Sequence, residues 1–122
     1  MKEVVMIFVG SGIGGVARYL SVKAVAQLWP VSFPAGTLAV NATAAILIGM
    51  LAGIVHHRQL LPVSAQFLLI TGFCGGFSTF SAFSLESLRL LQSGQYLLFT
   101  AYIVLSVVLC IGFTWLGWQI VR

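Results

Sequence analysis

Acidic residues are nearly absent from this chain. Glu3 and Glu86 are its only carboxylate side chains, and it has no aspartate at all. Charged residues of both signs reach 7% of 122 positions, where a soluble domain carries about a quarter. Eight charges cannot cover a protein of this size with a wet surface, so a water-soluble monomer is excluded. Cysteine is scarce too. Cys74 and Cys110 lie inside apolar runs with no CxxC spacing, which excludes a disulfide framework and reads as buried small residues. The basic residues Lys2, Arg18, Lys23, Arg58, Arg89 and Arg122 stand singly. No cluster exists to hold a nucleic acid backbone, and scattered cations of this kind read as interfacial anchors. No small-x-small cleavage site precedes Arg18, so a cleavable leader is not expected.

What is present is hydrophobicity: 60% of the residues are apolar, with a mean hydropathy of +1.09. A bilayer-spanning helix takes roughly 20 apolar residues. The chain therefore supplies about four spans and no extramembrane or soluble catalytic domain, so 1–122 reads as one transmembrane unit. The first span starts near Val4 and ends between Leu20 and Leu28, where Trp29 to Pro34 marks a membrane-surface connection. The second runs from about Ala35 to Val55, closed by His56, His57 and Arg58, a loop that shows no ligand spacing. The third runs from Pro62 to about Leu91, and the fourth from about Gln95 to Val121. The third is long for one straight helix. It reads as two half-helices broken near Gly75 and Gly76, which membrane depth tolerates only where backbone is buried in protein or lines a wet cavity.

Four spans put both termini on one side, with Lys2, Arg58 and Arg122. Arg18, Lys23 and Arg89 then fall on the other. A balanced count leaves orientation undecided, so both insertions are available to pair as an antiparallel dimer.

Gly10 to Gly15 fits GxGxxG, but a dinucleotide site needs an acid about 20 residues on, and none is there. Gly10 and Gly14, like Gly49 and Gly53, instead have the spacing that lets helices approach closely. Thr37 and Asn41 share one face of the second helix. An amide at that depth needs partners: either it ties helices together or it lines a path. The segment Gly72 to Glu86 is the richest. Hydroxyls at Ser78, Ser81 and Ser84 run beside Phe77, Phe80 and Phe83. A helix break frees carbonyls that can ligate a cation, and the positive edge of a phenyl ring can face an anion. Tyr102, Ser106, Cys110 and Thr114 form a weakly polar stripe on the fourth span. Aromatic core packing and plain helix contacts are the competing accounts of these features.

Taken together, Gly14-Gly15-Val16-Ala17-Arg18-Tyr19, Gly36-Thr37-Leu38-Ala39-Val40-Asn41 and Gly72 to Ser84 resemble the CrcB/Fluc family of fluoride channels over nearly the whole chain. The resemblance implies an all-α, antiparallel dual-topology homodimer with two pores in the bacterial inner membrane. It implies passive fluoride efflux that confers fluoride resistance, and no enzymatic activity or nucleic acid partner. It places Phe80, Phe83, Asn41, Thr37, Ser81, Thr79, Tyr102 and Ser106 along the fluoride path. Backbone carbonyls of Gly75 and Ser78 would hold a structural sodium ion that is not transported, and Arg18 would stand at the end of the first helix beside the vestibule. Ala82 and Cys110 depart from the family by lacking expected hydroxyls. The alternative is a proton-coupled cation antiporter of the small multidrug-resistance type. That mechanism needs a carboxylate deep in the membrane, whereas Glu86 is expected near an interface.

Overall fold

The computed structural model describes all residues from Met1 to Arg122. Every regular element is helical. Helix α1 spans Lys2–Leu28, and α2 spans Ala35–Gly53 and continues as a wider π turn over Ile54–Arg58. Helix α3 occupies 63–77: an α turn at Val63–Gln66, a π-helical stretch at Phe67–Cys74, and a last α turn at Gly75–Phe77. Helix α4 is Phe80–Gln92 and α5 is Tyr96–Ile120. Helices α3 and α4 share one span, Val63–Gln92, so four segments are long and apolar enough to cross a bilayer. The prolines sit where the sequence pattern put them. Pro34 caps α2 and Pro62 caps α3, positions where a missing N–H costs nothing.

Glycines set the packing. A Cβ on Gly14 would lie 2.8 Å from the backbone nitrogen of Phe77, and one on Gly76 would lie 2.7 Å from the Cα of Ser11. Helix α1 therefore rides directly on the backbone of α3. Likewise a Cβ on Gly117 would sit 2.9 Å from the nitrogen of Met50, and one on Gly49 would strike the backbone at Thr114. These contacts lock α2 to α5, as small residues do where no hydrophobic driving force separates helix from lipid. A small cluster of Val40, Ala44 and Phe77, backed by Ala17, Val22 and Phe73, joins the two pairs. Only 17 of 122 residues are buried, and the rest of the surface is largely apolar, as a chain covered by lipid or by another chain requires.

One expectation is sharpened and one corrected. The third span does break near the glycine pair, just beyond it. Gly75 is helical (φ −65°, ψ −38°), and the chain leaves the helix at Ser78 (ψ 160°) and Thr79 (φ −153°, ψ 121°). The glycines serve packing, since Gly76 admits α1. The break comes where Thr79 starts a new helix, its hydroxyl accepting the N–H of Ala82 at 3.2 Å. Second, Arg18 does not stand at the end of the first helix. Helix α1 ends at Leu28, the far limit of the expected range, so Arg18 lies inside the span and is partly buried.

Candidate functional site

The broken span is the centre of the site. Breaking a helix orphans donors and acceptors on both sides, and membrane depth offers no water to satisfy them. Most groups at the break have found other partners, but no donor reaches Gly75 O. The Ser78 N–H and Oγ both donate back to Cys74 O, at 3.0 and 2.9 Å. Asn41 on α2 holds Thr79 at two points: Thr79 N–H donates to Asn41 Oδ1 at 2.8 Å, and Asn41 Nδ2 donates to Thr79 O at 3.0 Å. An amide side chain is the one group that matches a peptide unit donor for acceptor. Its Nδ2 carries a second hydrogen beyond the one given to Thr79. From α1, Arg18 Nη1 donates to Ser78 O at 3.2 Å. Arg18 is thus a cation at the helix break, not an interfacial anchor.

From the break, aromatic rings lead along α4. The Phe80 and Phe83 centroids are 5.4 Å apart, and Phe83 lies 5.1 Å from Tyr102. Tyr102 is fully buried and meets Phe33 edge-on at 5.5 Å. Its hydroxyl donates to Glu86 Oε2 at 2.7 Å, while buried Thr37 donates to Glu86 Oε1 at 2.7 Å. Both oxygens of the only side-chain carboxyl group beyond the N-terminal turn are therefore capped by hydroxyls. Phe80 itself is 79% exposed on the protomer. It borders an open hollow of about 460 Å³ with Asn41, Cys74, Gly75, Ser78, Thr79 and Cys110.

The chain thus brings Asn41, Ser78, Thr79 and Arg18 together at the break. It aligns Phe80, Phe83, Tyr102 and Thr37 with one another. Ser81 stays outside that line, exposed, its hydroxyl paired with Thr79 Oγ1 at 3.2 Å. Ser106 is buried with its hydroxyl unpartnered, as is Ser87. Further along the α5 stripe, Thr114 donates back to Cys110 O at 2.9 Å. Glu86 is the residue that sequence reasoning missed. It lies within the span but opens on the connection between α1 and α2, sharing hollows with Ser32 and Pro34. Its signal was legible only in hindsight of topology, since nothing in the sequence pairs position 86 with 37 and 102.

Four apolar spans, one of them interrupted inside the bundle beside hydroxyls, an amide and aromatic rings, define a small polytopic membrane protein built around a broken helix. Residues 5–118 match the family model described as CrcB-like protein, Camphor Resistance (CrcB). The chain is 41% identical over 117 residues to the fluoride-specific ion channel FluC of Flavobacterium psychrophilum, covering 96% of this chain and 94% of that one. It is 44% identical over 113 residues to fluoride-specific ion channel FluC 1 of Nitrobacter hamburgensis, covering 93% and 90%. It is 43% identical over 120 residues to the FluC of Leptospira interrogans, covering 98% and 94%. The chain belongs to the CrcB family. That family is one of membrane channels and not of enzymes, and its member here is a multi-pass protein of the bacterial inner membrane.

Proposed function

We propose that this protein is a passive fluoride channel that lowers cytoplasmic fluoride, working as an antiparallel dual-topology homodimer with two pores. The observation that carries the reading is the run of polar and aromatic side chains from Asn41 and Phe80 through Phe83 to Tyr102 and Thr37. Fluoride is small and strongly hydrated, so a conduit must replace its water with donors. Conduction also demands that the ion leave again, which favours amide, hydroxyl and aromatic edges over a full charge. The spare hydrogen of Asn41 and the hydroxyl of Ser106, which has no protein partner, are donors of this kind. Thr37 and Tyr102 give their hydrogens to Glu86. An anion passing them exchanges places with a Glu86 oxygen as acceptor.

The protomer leaves Phe80 and the hollow at the break uncovered, which favours closure by a second copy. With Arg18 drawn into the span, Lys2, Arg58 and Arg122 face only Lys23 and Arg89, still too even to fix one orientation. Sodium suits the break. The helical donor for Gly75 O would be Thr79 N–H, which turns to Asn41 instead. Ser78 O takes one hydrogen bond, from Arg18, and keeps a second lone pair. Hard cations are bound by such carbonyls, so Gly75 and Ser78 would hold the ion as a structural element between two copies.

Liposomes containing only this protein test the function. Passive fluoride efflux, with no dependence on a proton gradient, is expected. Proton-coupled cation uptake without fluoride flux would replace the channel with the antiporter alternative, for which Glu86 would be the proton site.

A further inference from the structure

Asn41 touches the break but none of the groups assigned to the cation. Its effect on them follows from hydrogen-bond accounting. In a continuous helix each N–H donates to the carbonyl four residues back, so Thr79 N–H belongs to Gly75 O. Here that N–H points to Asn41 Oδ1 at 2.8 Å, and Asn41 Nδ2 returns a bond to Thr79 O at 3.0 Å. Thr79 is held extended, through its N–H and its own C=O, by one side chain from another helix. Gly75 O is left without its helical donor. Gly75 also faces open space, since a Cβ there would have no neighbour within 4 Å.

We propose that Asn41 is a positioning residue for the cation: by withdrawing the Thr79 N–H it vacates the Gly75 carbonyl, and so makes the cation seat. This rests on the sodium reading above. It adds that the seat is made by α2, not by the glycine pair that marks the segment. Arg18 plays a different part. It occupies one lone pair of Ser78 O and fixes that carbonyl's direction, and it leaves Gly75 O untouched. Without Asn41, Thr79 N–H is free to fall back toward Gly75 O, and the carbonyl that should bind sodium is consumed by the helix.

The test compares the purified wild-type dimer with Asn41→Ala and Asn41→Ser, in sodium and in N-methylglucamine. Thr37→Val serves as the control on the same helix. One readout is the thermal unfolding midpoint. The other is the Gly75 carbonyl itself: glycine labelled with carbonyl ¹³C and amide ¹⁵N gives carbonyl–nitrogen pairs only at Gly14-Gly15 and Gly75-Gly76. Wild type and Thr37→Val are expected to gain stability in sodium and to show a sodium shift of the Gly75 signal, Thr37→Val even where its fluoride flux is lost. Both Asn41 variants are expected to lose the sodium gain and the shift together. If Asn41→Ala does not form a dimer, Asn41→Ser decides, because its hydroxyl is too short to span both Thr79 groups. An Asn41 variant that retains the full sodium gain and the Gly75 shift overturns the positioning role alone. A wild type with neither response overturns the sodium reading, and this role with it.

Discussion

Tyr102 and Glu86 are joined by a 2.7 Å hydrogen bond from the phenol to Oε2, inside a span, with the tyrosine fully buried. The same ring stands against Phe83 and Phe33. The two functions of the side chain can therefore be separated. Tyr102→Phe keeps the ring packing and deletes only the donor. A hydrogen bond to a charged partner contributes about 1.5–3 kcal/mol, and one to a neutral partner about 1 kcal/mol, so a moderate fall in unfolding midpoint is expected. Fluoride efflux should fall at least several-fold, since Glu86 loses one of its two hydroxyl caps. Unchanged efflux from a correctly folded Tyr102→Phe protein would take the phenol out of the path.

Arg18 offers a second separation. Its guanidinium reaches Ser78 O from α1 at 3.2 Å. Arg18→Leu should leave that carbonyl short of a partner and cost about 1–3 kcal/mol, the usual penalty for stranding a buried polar group. Arg18→Lys should recover only part of this, because an ammonium on a flexible stem lacks the planar fork. Unfolding midpoints in detergent decide. A Leu variant as stable as its parent would mean that the contact contributes nothing.

The spans were legible because apolar runs of this length leave no alternative, and prolines at 34 and 62 punctuate them in the manner helix starts require. The GxxxG spacings were legible for the same local reason. The break was legible as lying near Gly75 and Gly76, but the residues that leave the helix, Ser78 and Thr79, were not. A glycine pair signals backbone freedom or close packing alike, and only the position of α1 shows that packing is its use. Thr79 caps a new helix, and that role depends on Asn41, which lies 38 residues away in sequence. Arg18 reads by composition as an interfacial anchor, yet Ser78 on another helix draws it inward. Glu86 keeps its place beside the α1–α2 connection, and what was not legible is its pairing with Thr37 and Tyr102. Composition cannot show such pairings.

The α2–α5 seam gives a stability prediction with an internal control. Gly117→Ala places a methyl against the backbone at Ile46 and Met50, where nothing can move aside. Overpacking of this kind costs about 1–3 kcal/mol. Gly112→Ala, on the same helix, meets nothing within 4 Å in the protomer and should leave its fold intact. If Gly112→Ala nonetheless weakens assembly, that face is covered by a second copy. Equal effects on unfolding from the two substitutions would contradict the seam.

Orientation can be forced. Two lysines added after Arg122 should place the termini in the cytoplasm, and two added beside Ser93 should do the reverse. If the active form is an antiparallel pair, each fixed form alone should lose most of its efflux, and coexpression should restore it. Full efflux from either form alone would exclude the antiparallel pair.

The sharpest prediction concerns Phe80 and Phe83. Their rings lie 5.4 Å apart, and Phe80 is 79% exposed on the protomer. A ring so exposed adds little to the protomer core, so Phe80→Ile should fold normally. Phe83 touches Tyr102 at 5.1 Å, so Phe83→Ile gives up one aromatic pair, about 0.5–1.5 kcal/mol beyond buried area. Neither loss unfolds a helical bundle of this size. If the rings only fill space, an apolar replacement of similar volume should preserve function as well as fold. If their positive edges solvate an anion, isoleucine offers no such edge, and a folded dimer that does not conduct is expected from each single variant. Methionine, flexible and polarizable, should restore part of the flux in at least one position. Size-exclusion profiles and liposome fluoride efflux on the same preparations decide the matter. A monodisperse Phe80→Ile, Phe83→Ile double variant with normal efflux would leave the two rings as packing and move the path elsewhere in the dimer.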